Sequence, residues 1–259
     1  MRYLKLLTIF WQTSLAARME YRTAFLLAFL EAALEAAGKL FGVYLFYSNG
    51  FDLGGWRWQE ALLVLGLASL LDAFFISVFN PNLRRISEMV QNGTLDFVLL
   101  KPVDSQFWMS TQQFAAVGLP FLLVSLGLIV YAGVASGLNA TSWLLLVLGA
   151  VAALTLAYAV AFLFATTSIW FVKIFNVVFF LNSIVWTGQY PVQAYSRFFK
   201  YFLTFVLPVY FMTTAPAEVA LGRLSFAWLF AVIGVSLGIL ALSSAFWRFA
   251  LRYYASASS

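Results

Sequence analysis

Four charged residues lie inside stretches of the chain that are otherwise apolar. Glu31, Glu35 and Lys39 are spaced at i, i+4 and i+8, so a helix would place them on one face. Asp72 lies near the middle of the next apolar stretch. Charges deep in a membrane are costly and usually face protein or water. They would therefore either line a transport path or form an ion-pair cluster that joins two helices.

The spacing favours an ion pair for Glu35 and Lys39, because opposite charges at i and i+4 neutralise each other locally. Asp72 is a further partner for Lys39, and for Glu31 and Asp72 both interpretations stay open. Asn176 and Asn182 lie in another apolar stretch. Polar side chains there commonly bond between helices, which we favour over contact with a substrate.

The residue types that are missing exclude several kinds of site. The sequence has no Cys and no His, which removes thiol and histidine catalysis and nearly every zinc site. Its only Gly-Lys pair, Gly38-Lys39, lacks the spacing of a P-loop. We expect no catalytic residue, metal or cofactor in this chain. The net charge of +5 indicates anionic lipid headgroups rather than nucleic acid.

Composition predicts the elements that must position these residues. The chain is 63% hydrophobic and 10% charged, with a mean hydropathy of +0.91, and a spanning helix needs about 20 mostly apolar residues. We predict an all-α integral membrane protein with one domain over residues 1–259 and six transmembrane helices. The spans are residues 23–47, 59–79 (ended by Asn80-Pro81-Asn82), 113–135 (with a possible kink at Pro120), 142–167, one from about Phe171, and 224–247.

Two further segments belong to the membrane without spanning it. Residues 1–22 predict an amphipathic helix in the headgroup plane, because apolar residues recur there at helical spacing between basic ones. Residues 188–221 predict a segment that enters the membrane and returns, because its apolar runs are short and broken. The residues that mark this outer segment are Tyr190, Pro191, Pro208 and Pro216.

The distribution of Lys and Arg predicts the orientation. If the N-terminus is cytoplasmic, most basic residues outside the spans fall on the cytoplasmic side, as the positive-inside rule requires. Counting the outer segment as a seventh span would put Arg248 and Arg252 outside, which is the weaker arrangement. We expect a multi-pass protein of a bacterial inner membrane with both termini in the cytoplasm.

The longest cytoplasmic loop, residues 81–104, carries the most distinctive motif. Residues 86–91 predict a short helix that Asn92-Gly93 would stop. The pattern G-x-L-D-x-x-L-L-x-P follows as Gly93, Leu95, Asp96, Leu99, Leu100 and Pro102. A second pattern lies in the outer segment: Tyr190-Pro191, then residues 204–208 ending at Pro208, then Ala215-Pro216-Ala217.

With these two patterns the chain resembles the permease subunits of type-2 ABC (ATP-binding cassette) exporters, in the branch that carries this loop signature. The resemblance implies that two permeases, identical or different, pair and that each docks on a P-loop ATPase holding ATP and Mg²⁺. It makes residues 84–92 a coupling helix and the outer segment a gate. The implied coupling residues are Arg84, Arg85, Ile86, Glu88, Met89, Gly93, Leu95, Asp96 and Pro102.

Three other functions stay open on the sequence. An ion- or proton-coupled secondary transporter could use Glu31, Glu35 and Asp72, although such folds often show paired broken helices and only one broken region is visible. A lipid-modifying membrane enzyme would have to act through carboxylates alone. A non-transporting scaffold is the third alternative, and no residue selects a substrate.

Overall fold

The computed structural model describes residues 2–16, 22–51, 53–171, 183 and 186–254. Every regular element in that part of the chain is helical, which confirms the predicted class. The α-helices are α1 Arg2–Ala16, α2 Arg22–Ser48, α3 Trp58–Phe74, α4 Asn80–Gln91, α5 Asp96–Leu99, α6 Ser105–Thr111, α7 Leu119–Ala135, α8 Ala140–Thr166, α9 Arg197–Tyr201, α10 Ala215–Ala220 and α11 Ala227–Leu251. π-Helical turns occupy Phe75–Phe79, Phe202–Val206 and Tyr210–Thr214.

Four helical stretches in the described residues are long and apolar enough to cross a bilayer. They are Trp58–Gln91, Ala116–Ala135, Ala140–Ile169 and Ala227–Leu251, and they match the predicted second, third, fourth and last spans. The α2 helix has 27 residues, enough for the predicted first span, but it carries four charged residues and is not among these four stretches. Most of the predicted fifth span, which begins at about Phe171 and includes Asn176 and Asn182, lies outside the described residues.

The prediction that a helix ends at Asn80-Pro81-Asn82 is wrong. The chain stays helical from Trp58 to Gln91, because α3 passes through the π-helical turn into α4. Pro81 has no N–H to give to the carbonyl of Ser77, and that carbonyl instead accepts the N–H of Ala115 at 2.8 Å. Asn82 adds side-chain bonds to Val78 O and Gln113 O, each 2.7 Å. The segment before α7 therefore supplies the hydrogen-bond donor that Pro81 lacks.

Pro120 does not kink the third span. A 3₁₀ turn at Ala116–Gly118 precedes α7, and Pro120 lies in the first turn of that helix. The first N–H groups of a helix have no intrahelical acceptor, so a proline costs nothing there. The predicted start at residue 113 is early, since α7 begins at Leu119.

The α3 helix forms the centre of the fold. Within the most apolar part of Trp58–Gln91, 83% of the residues are buried, against 22% for Ala227–Leu251. Gly66 lets α3 approach α7 closely, because a side-chain carbon there would lie 2.7 Å from Ile129 Cγ1. Gly149 of α8 likewise makes room for Pro216 of α10. The central α3 is thus surrounded by protein, whereas most of α11 is not buried within this chain.

The segment before the last helix is broken, as predicted. Its two helical arms, Arg197–Val206 and Tyr210–Ala220, meet at an angle of 78°. Pro208 lies at the break, and Pro216 sits in the first turn of α10. A bend of this size fits either a broken span or a re-entrant loop.

The helix α1, Arg2–Ala16, lies within the residues predicted to form an N-terminal amphipathic helix, and its amphipathic character stays a prediction. It packs on α6 and the residues after it through two aromatic contacts, Phe10 with Trp108 at 5.0 Å and Trp11 with Phe114 at 5.1 Å between ring centres. Its position in the headgroup plane stays a prediction.

Candidate functional site

Glu35, Lys39 and Asp72 form one cluster between α2 and α3, which we call the ion triad. Lys39 Nζ bonds Glu35 Oε1 on its own helix and lies 3.1 Å from Asp72 Oδ2 on the other. The side chains of Lys39 and Asp72 are each 11% exposed, and that of Glu35 is 34% exposed. The contact predicted for Lys39 with Glu35 or Asp72 is therefore present with both, and it joins two helices.

Glu31 is not part of this cluster. It lies one turn before Glu35 on an exposed stretch of α2, and no ion pair of the described residues includes it. The structure therefore brings together three of the four charged residues that the sequence analysis grouped. The triad carries two carboxylates against one ammonium group, which leaves one acidic group in excess.

An open cleft of about 560 Å³ lies between α2, α3 and α7. Its walls are apolar and aromatic, including Phe41, Tyr44, Trp58, Val124 and Tyr131. A much smaller pocket of about 20 Å³ adjoins it and is lined by all three residues of the triad. The two spaces share the lining residues Ala36, Val124 and Leu128. The ion triad thus lies beside the inner end of the cleft.

The residues of the outer segment pack onto other helices. Tyr190 lies against α2, with its ring centre 5.6 Å from that of Phe46 and its hydroxyl next to Gly42. Pro191 precedes a 3₁₀ turn at Val192–Ala194. The Val192 N–H donates to Thr214 Oγ1 at 3.1 Å, which ties the start of the segment to its second arm.

A buried carboxylate that the sequence analysis missed holds the broken segment together. Glu218 of α10 accepts a bond from Gln193 Nε2 at 2.7 Å and one from the Tyr210 hydroxyl at 2.7 Å. Its partners lie 25 and 8 residues away in the chain. The first of these separations has no regular period that sequence reasoning could have used.

A second missed cluster joins the loop before α3 to the loop after α10. Glu60 is buried and accepts bonds from the backbone N–H of Arg57 at 2.9 Å and from its guanidinium at 3.0 Å. Arg223 bonds the same carboxylate, donates to Gly55 O at 2.8 Å, and lies 4.5 Å from the ring centre of Trp56. Only the Arg57–Glu60 spacing of three residues was visible in the sequence.

We expect Arg223→Ala to destabilise the protein by about 1–3 kcal/mol, because it leaves a buried carboxylate short of a charged partner. Arg57→Ala is the matched control. Its side chain is 71% exposed against 29% for Arg223, so its loss should cost less than about 1 kcal/mol. Thermal unfolding of the two variants in detergent measures the difference. Equal losses would show that Arg223 does not carry the cluster.

The predicted coupling residues on α4 and on the loop from α4 to α6 are of two kinds. Some are buried and hold the loop in place, and the others are exposed. Ile86 and Leu95 are fully buried, and Arg85 donates to Gln112 Oε1 at 3.0 Å. Gly93 has a φ of +65°, which favours glycine and reverses the chain after α4. Arg84, Glu88 and Pro102 are exposed, while Met89 and Asp96 are partly buried.

The two most exposed apolar residues of this loop are ones that the sequence analysis did not assign as contacts. Phe97 is 68% exposed and Leu100 is 82% exposed. Together with Arg84 and Glu88 they form what we call the coupling surface. Buried anchors and exposed apolar residues on one short loop make this surface a candidate contact site.

The model of the family described as ABC-2 family transporter protein matches residues 33–258. The chain belongs to this family. No curated protein and no solved structure matches it. The permease is thus a membrane transport component of an ABC transporter and is not itself catalytic. Among its described residues no group of carboxylates could hold a metal ion.

The candidate residues of this type-2 ABC permease lie in two regions of the structure. The ion triad and the cleft lie within the helical bundle, whereas the coupling surface lies on α4, at the end of Trp58–Gln91, and on the loop that follows it. Asp72 and Arg84 belong to the same continuous helix. The permease therefore links the two regions through one element.

Proposed function

We propose that the chain is the permease subunit of an ATP-binding cassette exporter, forming half of a translocation path. Hydrolysis of ATP takes place on a separate P-loop ATPase that binds the nucleotide and Mg²⁺. Family membership and the lack of a P-loop in the sequence support this division of labour.

The coupling surface carries the proposal. Exposed apolar side chains on a polar loop are costly unless a partner covers them, and Phe97 and Leu100 both project from a loop that Ile86 and Leu95 hold in place. The ATPase docks here, and Arg84 and Glu88 provide charges at the edge of the contact. Ile86 and Leu95 thus position the surface without touching the ATPase.

The permease crosses the inner membrane six times, with both termini in the cytoplasm. The α2 helix is the first span, and its charge is tolerable because Lys39 is paired with both Glu35 and Asp72. The segment from α9 to α10 is re-entrant rather than a seventh span, which keeps Arg248 and Arg252 inside. The α1 helix lies in the headgroup plane.

A second permease chain, identical or different, completes the path. One helical bundle of this size has its central helix surrounded by its own residues, so a path needs a second bundle beside it. The alternative, a secondary transporter that uses Glu31, Glu35 and Asp72, is less well supported. Lys39 already neutralises part of that carboxylate set.

Purification of the tagged chain from its native membrane in mild detergent tests the proposal. We expect a P-loop ATPase to accompany it, with or without a second permease, and mass spectrometry of the complex identifies them. Reproducible absence of an ATPase from intact, monodisperse protein would contradict the proposal.

A further inference from the structure

The cleft between α2, α3 and α7 has the size and chemistry of a ligand site. Its volume of about 560 Å³ falls within the range of about 300–1,000 Å³ that holds drug-sized molecules. The space is open at the side of the bundle and lined almost wholly by apolar atoms. A ligand dissolved in the bilayer could therefore enter without crossing water.

Aromatic rings line one end of the cleft. Tyr44 packs edge-on against Trp58 at 6.5 Å between ring centres and stacks with Phe41 at 6.4 Å, and Tyr131 lies on the facing helix. The faces of such rings attract cations that have lost their water shell. These aromatic residues therefore favour a positively charged ligand over an anion.

The charge of the ion triad, which lines the small pocket that adjoins the cleft, also favours a positively charged ligand. The ion triad has one acidic group in excess, and its most exposed member is Glu35, with 34% of its side chain open. Nine residues separate Glu35 from Tyr44, which is about 14 Å along a helix. Glu31, exposed one turn further along α2, adds to the negative potential. Glu35 lines the small pocket that adjoins the cleft, so an acidic group lies beside the aromatic-lined space.

We propose that this cleft binds lipophilic cations, meaning organic cations whose charge is surrounded by apolar groups. The inference rests on the proposed function, because it names the substrate class that the permease takes from the bilayer. The positive charge lies nearest Glu35, and the apolar groups fill the space beside Val124 and extend towards the aromatic rings. Lys39 and Asp72 stay paired and fix the position of Glu35.

Calorimetric titration of the purified chain with tetraphenylphosphonium tests the proposal, with empty micelles as the blank. A separate titration uses tetraphenylborate, which has the same shape and the opposite charge. We expect saturable binding of the cation and none of the anion. Equal binding of both ions would overturn the proposal, because the cleft would then select for apolar surface alone.

Two variants locate the site. Glu35→Gln removes the excess acidic group and leaves Lys39 with Asp72, so we expect at least a tenfold loss of affinity for tetraphenylphosphonium. Val124→Trp fills the cleft and should abolish binding. Asp104→Asn before α6 is the matched control and should bind as the unmodified chain does, because Asp104 is exposed and Asn can also accept the N–H of Phe107. Unchanged affinity in Glu35→Gln would overturn the proposal.

Size-exclusion chromatography of Val124→Trp tests whether a second copy of the chain, rather than a ligand, occupies the cleft. If the substitution splits an oligomer, the cleft is a subunit contact and the proposal is wrong. An unchanged oligomer with lost cation binding supports it. The test needs no ATPase: an ATPase that co-purifies with a permease that ignores the cation would refute this inference alone. Cation binding without an ATPase would refute only the exporter assignment.

Discussion

A chain carrying Phe97→Asp and Leu100→Asp should lose its association with the ATPase and with it ATP-driven transport. Burial of a large apolar side chain contributes about 1.5–3 kcal/mol, and each new carboxylate would have to be desolvated at the contact. Because 1.4 kcal/mol corresponds to a factor of ten in affinity, we expect the complex to weaken by about 100-fold or more. Pull-down of the ATPase by the tagged permease measures this.

Phe226→Asp is the matched control for that experiment. Phe226 is 68% exposed, as Phe97 is, but it precedes α11, far along the chain from the coupling surface. The control should keep the ATPase, and all variants should elute as folded, monodisperse protein. If Phe97→Asp with Leu100→Asp retains the ATPase, the docking site lies elsewhere. Reversal of Arg84 alone should have a smaller effect, because exposed charge pairs contribute at most about 1 kcal/mol.

Lys39→Met should destabilise the fold more than any other single change in the ion triad. It leaves Glu35 and Asp72 facing each other without their shared cation, and removal of one partner from a buried pair costs about 3–5 kcal/mol. Asp72→Asn should cost less, since Lys39 keeps Glu35. Thermal unfolding in detergent, followed by loss of monodisperse protein, measures the order of the two variants.

The triple variant Glu35→Gln, Lys39→Met, Asp72→Asn separates structure from transport. Neutral residues of similar volume often replace a buried ion cluster at little cost, so we expect this variant to recover most of the stability that Lys39→Met loses. Recovered stability with recovered transport would mean that the triad serves only to join α2 to α3. Recovered stability without transport, which the cation cleft requires, would mean that the charges act on the substrate.

The sequence predicted the elements that follow from composition and from local signals. Long apolar stretches predicted the helices of four spans. Asn92-Gly93 predicted the end of α4, and Pro208 predicted the break before α10. The Glu35–Lys39 pair was visible because i, i+4 spacing fixes which side chains meet on a helix. Each of these depends on residues close together in the chain.

What the sequence could not predict depends on distant partners. From sequence alone, Asn80-Pro81-Asn82 predicts a helix end. The helix continues because the N–H of Ala115 replaces the donor that Pro81 lacks. Glu60 meets Arg223 across 163 residues, and Glu218 meets Gln193 across 25. Three helices form the cleft, so no local sequence pattern predicts it. Leu100 was part of the motif and Phe97 lies at one of its unspecified positions, but only burial separates the two from Leu95.

The uninterrupted helix from Trp58 to Gln91 has a mechanical consequence. Its 34 residues extend about 51 Å at 1.5 Å per residue, well beyond a hydrocarbon core of about 30 Å. It is a rod whose protruding end bears α4 and whose interior bears Asp72. The wider π-helical turn at Phe75–Phe79 lies just after Asp72 and is the natural point of compliance in that rod. A push on the α4 end of this helix would therefore act within a few residues of the contact between Asp72 and Lys39.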